Sequence, residues 1–164
     1  MKVNALLQAE DSVSAEVQSC SNPHHRILVV EDAFDIRSLN AEVLINSGFQ
    51  VDAAEDGAVA WDSLQLKSYD LVVTDNDMPK VSGVELLKKL RAAHMDLPVI
   101  MATGKLPNDA FTRYQWLHAA AMLLKPYTST EFLETVREVL RATDGDRQRI
   151  APSPHWQSEK PTHS

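Results

Sequence analysis

Apolar and polar positions along the chain alternate between two periods. Arg26-Ile27-Leu28-Val29-Val30, Asp70-Leu71-Val72-Val73-Thr74, Leu97-Pro98-Val99-Ile100-Met101-Ala102 and Ala121-Met122-Leu123-Leu124 are short, nearly continuous apolar runs. Runs of this length suit parallel strands buried on both faces. Phe49, Val51 and Ala53 instead alternate with polar neighbours, as on a half-covered edge strand. Between the strands the spacing turns helical. Helices are expected over 34–47, closed by Gly48, over 57–66 with Trp61 and Leu64 on one side, and over 83–93 with Val84, Leu87 and Leu90 inward. Two more are expected over 107–118, with Pro107 in the first turn, and over 129–142. Ser82 with Glu85, and Thr128 with Glu131, have the spacing of capping boxes.

Five strands alternating with five helices imply an α/β, doubly wound parallel sheet covered on both faces. The alternating second strand goes to an edge, which favours the order 2-1-3-4-5. Residues 1–24 precede this unit, and Val3, Leu6, Leu7, Val13 and Val17 there are compatible with a short helix or a disordered extension. Residues 25–143 form the expected domain. The stretch 144–164, with Pro152, Pro154 and Pro161, is too poor in apolar residues to build a core and is expected to be a disordered tail.

Composition narrows the class only modestly. The 164 residues carry a formal net charge of -7, which argues against a general nucleic-acid surface. A single cysteine, Cys20, fits a reducing compartment, and no apolar run reaches membrane-spanning length, so a cytoplasmic location away from membranes is expected. His24, His25, His94, His118, His155 and His163 are scattered without ligand spacing and are expected to be solvated or incidental.

In a doubly wound sheet, functional groups gather at the carboxyl ends of the strands. Here those ends carry Glu31-Asp32, Asp75, Thr103-Gly104 and Lys125-Pro126. Carboxylates crowded together repel one another, and a hard divalent cation relieves that repulsion. Lysine, hydroxyl, glycine and cation together suit the equatorial oxygens of a phosphoryl group in transfer, with a carboxylate as nucleophile. Asp75 is the natural acceptor, because its strand is central. Taken singly, the same residues are ordinary: acidic helix caps, a turn, a loop hydroxyl, a solvated charge.

Val29-Val30-Glu31-Asp32, Leu71 through Pro79, Met101-Ala102-Thr103-Gly104 and Leu124-Lys125-Pro126 together resemble the four signatures of response-regulator receiver domains, over roughly residues 25–143. The resemblance implies a flavodoxin-like fold and a two-component or phosphorelay role. It implies Asp75 as phospho-acceptor and Glu31, Asp32, Asp75 and the Asp77 backbone carbonyl around Mg2+. Thr103 and Lys125 would contact the phosphoryl group, and the Lys125-Pro126 bond would be cis. The implied partner upstream is a sensor histidine kinase or a histidine phosphotransfer protein. The implied output face comprises helix 107–118, strand 121–124 and helix 129–142, read by another protein or by a second copy. Such a domain catalyses its own phosphotransfer and dephosphorylation and is not a turnover enzyme.

Two departures stand out. Met122 occupies the position where receivers usually carry Tyr or Phe, so a weaker or different rearrangement of the output face is expected. Asp77 and Lys105 flank the approach to the acceptor and are expected either to pair or to face solvent. Two rival readings remain. A haloacid-dehalogenase-like phosphatase also uses Asp-x-Asp after an apolar strand, but on its first strand. A phosphorylation-independent binding module could share the fold.

Overall fold

A computed structural model describes residues 25–104 and 118–150, with side chains to 147. The elements run β1 (Arg26–Val30), α1 (Phe34–Asn46), β2 (Gln50–Ala54), α2 (Gly57–Leu66), β3 (Leu71–Asp75), α3 (Gly83–Ala92), β4 (Val99–Thr103), β5 (Ala121–Leu124) and α4 (Ser129–Ile150). All neighbouring strands are parallel and the order is β2-β1-β3-β4-β5, as the patterning implies. The expected helix 107–118, with Phe111 and Trp116, lies outside the described residues.

The period of two in each strand divides the core. Ile27, Val29, Leu71, Val73, Ile100 and Leu123 pack with Leu44 of α1 and with Phe132, Val136, Val139 and Leu140 of α4. Leu28, Val30, Val72, Val99 and Met101 pack on the other face with Ala60 and Leu64 of α2 and Leu86, Leu87 and Leu90 of α3. β3 and β4 are buried throughout. β5 is not: Leu123 is covered, whereas Met122 and Leu124 are 37% and 48% exposed, because this apolar run lies at the second edge of the sheet.

Helix ends follow the local chemistry. Ser82 and Glu85 exchange both bonds of a capping box at α3. Thr128 and Glu131 do the same ahead of α4. Gly48, at φ +90°, ends the chain segment after α1 in the left-handed region that glycine tolerates. Asp56, absent from the sequence-based expectations, caps α2 by accepting from the Ala58 and Val59 amides at 2.9 Å each.

Two expectations need correction. His25 is not solvated: it is 6% exposed, tilted against Phe49, with Nε2 3.1 Å from an Asp144 carboxylate oxygen. α4 also runs through the expected boundary at residue 143 to Ile150. The stretch from Asp144 is expected to be a disordered tail, but Asp144 meets His25, and Arg147 reaches Asp70 at 3.2 Å. These contacts tie the added turns to the amino-terminal edge of the sheet. Residues 1–24 and 151–164 lie outside the described residues.

Candidate functional site

The parity that sorts the core also aims the site. Ile27 and Val29 precede Glu31 by even steps, Leu71 and Val73 precede Asp75, and Leu123 precedes Lys125. Side chains two apart on a strand share a face, so all three polar groups emerge on the α1–α4 side at the carboxyl ends. There they meet. Lys125 Nζ donates to Glu31 Oε2 at 3.0 Å and stands 3.2 Å from Asp75 Oδ1. Glu31 and Asp75 are 3% and 6% exposed. Asp32, exposed beside them, completes a group of three carboxylates whose nearest oxygens lie within 4.8 Å of one another.

The rest of the expected set is placed as follows. Thr103 ends β4 and is buried, and its carbonyl accepts the Lys125 amide at 2.8 Å. The Lys125-Pro126 peptide bond is cis. Asp77 is exposed on the loop after β3, and its carboxylate is not among the three that cluster. Lys105, and with it the expected pairing to Asp77, lies outside the described residues. Met122 sits opposite Met101 in the sheet register, on the face away from Leu123.

Electrostatics follow from burial and crowding. Desolvation pushes the Glu31 carboxyl above its ordinary value and the Asp75 charge adds to the push, against the Lys125 hydrogen bond. Burial works against the Lys125 charge, but the Glu31 bond and the Asp75 charge outweigh it and hold the ammonium above its usual value. An acid whose pKa rises on folding costs stability above that pKa and is relieved as pH falls through it. A cation among these oxygens would relieve it at neutral pH.

Three carboxylates with no thiol or imidazole among them are a donor set for a hard, oxygen-loving ion. Asp75 Oδ1 is buried and, among the described residues, makes no hydrogen bond, with the Lys125 ammonium 3.2 Å away. A buried oxygen with spare lone pairs, facing two more carboxylates, fits a metal ligand. Glu31, Asp32 and Asp75 are the residues that would hold it.

Two residues that support the site were not among those expected from sequence. Arg37 donates to the carbonyls of Glu31 at 2.6 Å and Asp32 at 3.2 Å, pinning the main chain of the acidic pair. A cation in the first turn of a helix opposes the helix dipole, which is the sequence signal that was available. Gly83 opens α3 against the end of β3: a Cβ there would stand 2.5 Å from the Asp75 carbonyl oxygen. Gly83→Ala is therefore expected to cost about 1–3 kcal/mol through overpacking against a backbone atom that cannot swing aside. Urea denaturation checks this; a variant as stable as the parent would show that α3 can retreat.

Known proteins resemble this chain over the segment that carries these residues. The family model described as "Response regulator receiver domain" matches residues 27–137. Response regulator RppA of Synechocystis is 38% identical over 120 residues, covering 71% of this chain and 50% of that protein. Transcriptional regulatory protein CpxR of Escherichia coli is 36% identical over 127 residues, covering 76% and 53%. The chain thus spans about half the length of these curated relatives. Among solved structures, the Vibrio cholerae chemotaxis protein CheY4 matches with a TM-score of 0.66 and 26% identity, over 70% of this chain and 98% of that one. The Francisella response regulator 1452 receiver domain matches with a TM-score of 0.67 and 25% identity, over 73% and 98%.

Proposed function

Since this chain belongs to the response-regulator receiver family of two-component systems, we propose that it accepts a phosphoryl group on Asp75 from a phosphohistidine and changes an output surface in response. The observation that carries the reading is the position of Lys125 Nζ, 3.0 Å from Glu31 and 3.2 Å from Asp75, which brings distant segments to one point.

In the proposed reaction an Asp75 carboxylate oxygen attacks phosphorus, forming the O–P bond as the P–N bond to the donor imidazole breaks. The leaving nitrogen keeps the bonding pair and takes up a proton. Lys125, now paired with two carboxylates, can turn one of those contacts toward a phosphoryl oxygen, and the Thr103 hydroxyl can donate to another. Glu31, Asp32 and Asp75, with the Asp77 carbonyl, would hold Mg2+, which when bound supplies charge neutralisation for the incoming oxygens. Arg37 and Gly83 keep the acidic pair and the acceptor main chain in place. The donor would be a histidine kinase or a histidine phosphotransfer protein. Readout would pass through β5 and α4 to an effector or to a second copy, by a shift in populations that already exist. The protein would carry out its own phosphotransfer without acting as a turnover enzyme.

The test is intact-mass measurement of the full chain after incubation with acetyl phosphate. With magnesium, a gain of one phosphoryl group is expected; with a chelator, none. No gain in either condition contradicts the reading and favours a binding module that works without phosphorylation.

A further inference from the structure

Asn40 is a buried amide, 6% exposed on α1, and the chemistry above does not use it. Its Nδ2 donates to the Tyr127 hydroxyl at 3.0 Å. Tyr127 lies two residues beyond Lys125, on the short connection between β5 and α4, and its ring stacks on fully buried Phe132 at 5.8 Å. The Lys125 end of this connection is held by the hydrogen bond that the Lys125 backbone N–H donates to the Thr103 carbonyl at 2.8 Å. The Tyr127 end is held by the ring stack and by Asn40. A ring stack fixes where the loop lies but leaves it able to slide; a directional hydrogen bond from a buried donor fixes its register. The segment so held carries the ammonium that must reach between Glu31 and Asp75.

We propose that Asn40 and Tyr127 form a positioning pair that aims Lys125 at the phosphoryl site, coupling α1 to the catalytic lysine. This rests on the assignment of Lys125 to phosphoryl transfer. Neither residue touches the reacting atoms. Their effect should fall on the rate of transfer and spare the metal, because the carboxylates that would hold it belong to other segments.

The experiment follows phosphoryl uptake from acetyl phosphate by the full chain across a magnesium titration, so that the saturating rate separates from the half-saturating metal concentration. Tyr127→Phe keeps the ring and its stack and removes only the hydroxyl. Its saturating rate should fall by roughly tenfold, given that misplacing a catalytic group by an ångström costs up to about a hundredfold. Half-saturation by magnesium should not move. Asn40→Leu should show a similar fall, and the double variant should be no slower than the slower single one, since the two act as one unit. A wild-type saturating rate in Tyr127→Phe overturns the proposal. So does a fall matched by equally weakened magnesium dependence, which would mark a general loss of structure, or losses that simply multiply in the double variant. If the wild-type chain itself takes no phosphoryl group, the functional assignment fails and this inference falls with it. If wild type is labelled and Tyr127→Phe keeps pace, only the inference fails.

Discussion

Asp75→Asn is expected to take up no phosphoryl group under conditions that label the wild-type chain. The substitution keeps the shape of the side chain and replaces an anionic oxygen with an amide nitrogen that cannot act as the nucleophile. The neighbours offer no substitute. Glu31 has one oxygen accepting a hydrogen bond from Lys125 and the other accepting the Ala33 amide at 3.3 Å, so both already have partners. Asp32 lies out in solvent, without the buried, lysine-backed setting of Asp75. Folding should survive, because Lys125 retains Glu31 and one of three crowded negative charges has gone. Intact-mass measurement of the variant beside the wild type, with circular dichroism to confirm folding, checks the expectation. Labelling of a folded Asp75→Asn chain to the wild-type extent would move the acceptor elsewhere.

Phe132→Ala should be the most damaging core substitution near the site. Phe132 is fully buried in the first turns of α4, within the cluster built on Ile27, Val29, Leu71, Val73, Ile100 and Leu123. Removing a buried phenylalanine costs about 3–5 kcal/mol in lost transfer energy and residual cavity. The stack with Tyr127 adds roughly 0.5–1.5 kcal/mol beyond its area. Against a total stability of about 5–15 kcal/mol for a domain, that loss threatens the fold itself. A urea transition with a lower midpoint and an unchanged slope is expected. A loss below about 1 kcal/mol would mean that α4 settles onto the sheet and fills the space.

Much of this was legible before the structure. The apolar runs at β1, β3 and β4 and the turn chemistry between elements determine a doubly wound sheet. The edge character of β2 determines its order. The strand ends then name Glu31, Asp32, Asp75, Thr103 and Lys125, and a period of two explains why Glu31, Asp75 and Lys125 converge. What was not legible depends on distances across the fold. Arg37 and Gly83 act on backbone atoms that only the packed structure brings close. The Asn40–Tyr127 bond spans 87 positions and leaves no local pattern. The composition of β5 reads as an interior strand, whereas the exposure of Met122 and Leu124 follows from the edge position that the order 2-1-3-4-5 already gave it. The stretch from Asp144 reads as a tail too poor in apolar residues to fold, whereas the helix continues to Ile150 and Asp144 pairs with His25 across the fold. His25 shows the same thing from the other side: its type and surroundings in sequence say solvent, whereas the helix that closes over it says core.

The most direct test is to locate the added group. Peptide mass mapping of the full chain after incubation with acetyl phosphate and magnesium, with and without hydroxylamine, reads both its place and its chemistry. A phosphoryl group on the peptide containing Asp75, lost on hydroxylamine treatment as an acyl phosphate should be, is the predicted result. A hydroxylamine-stable group, or one on a peptide that lacks Asp75, would contradict the account.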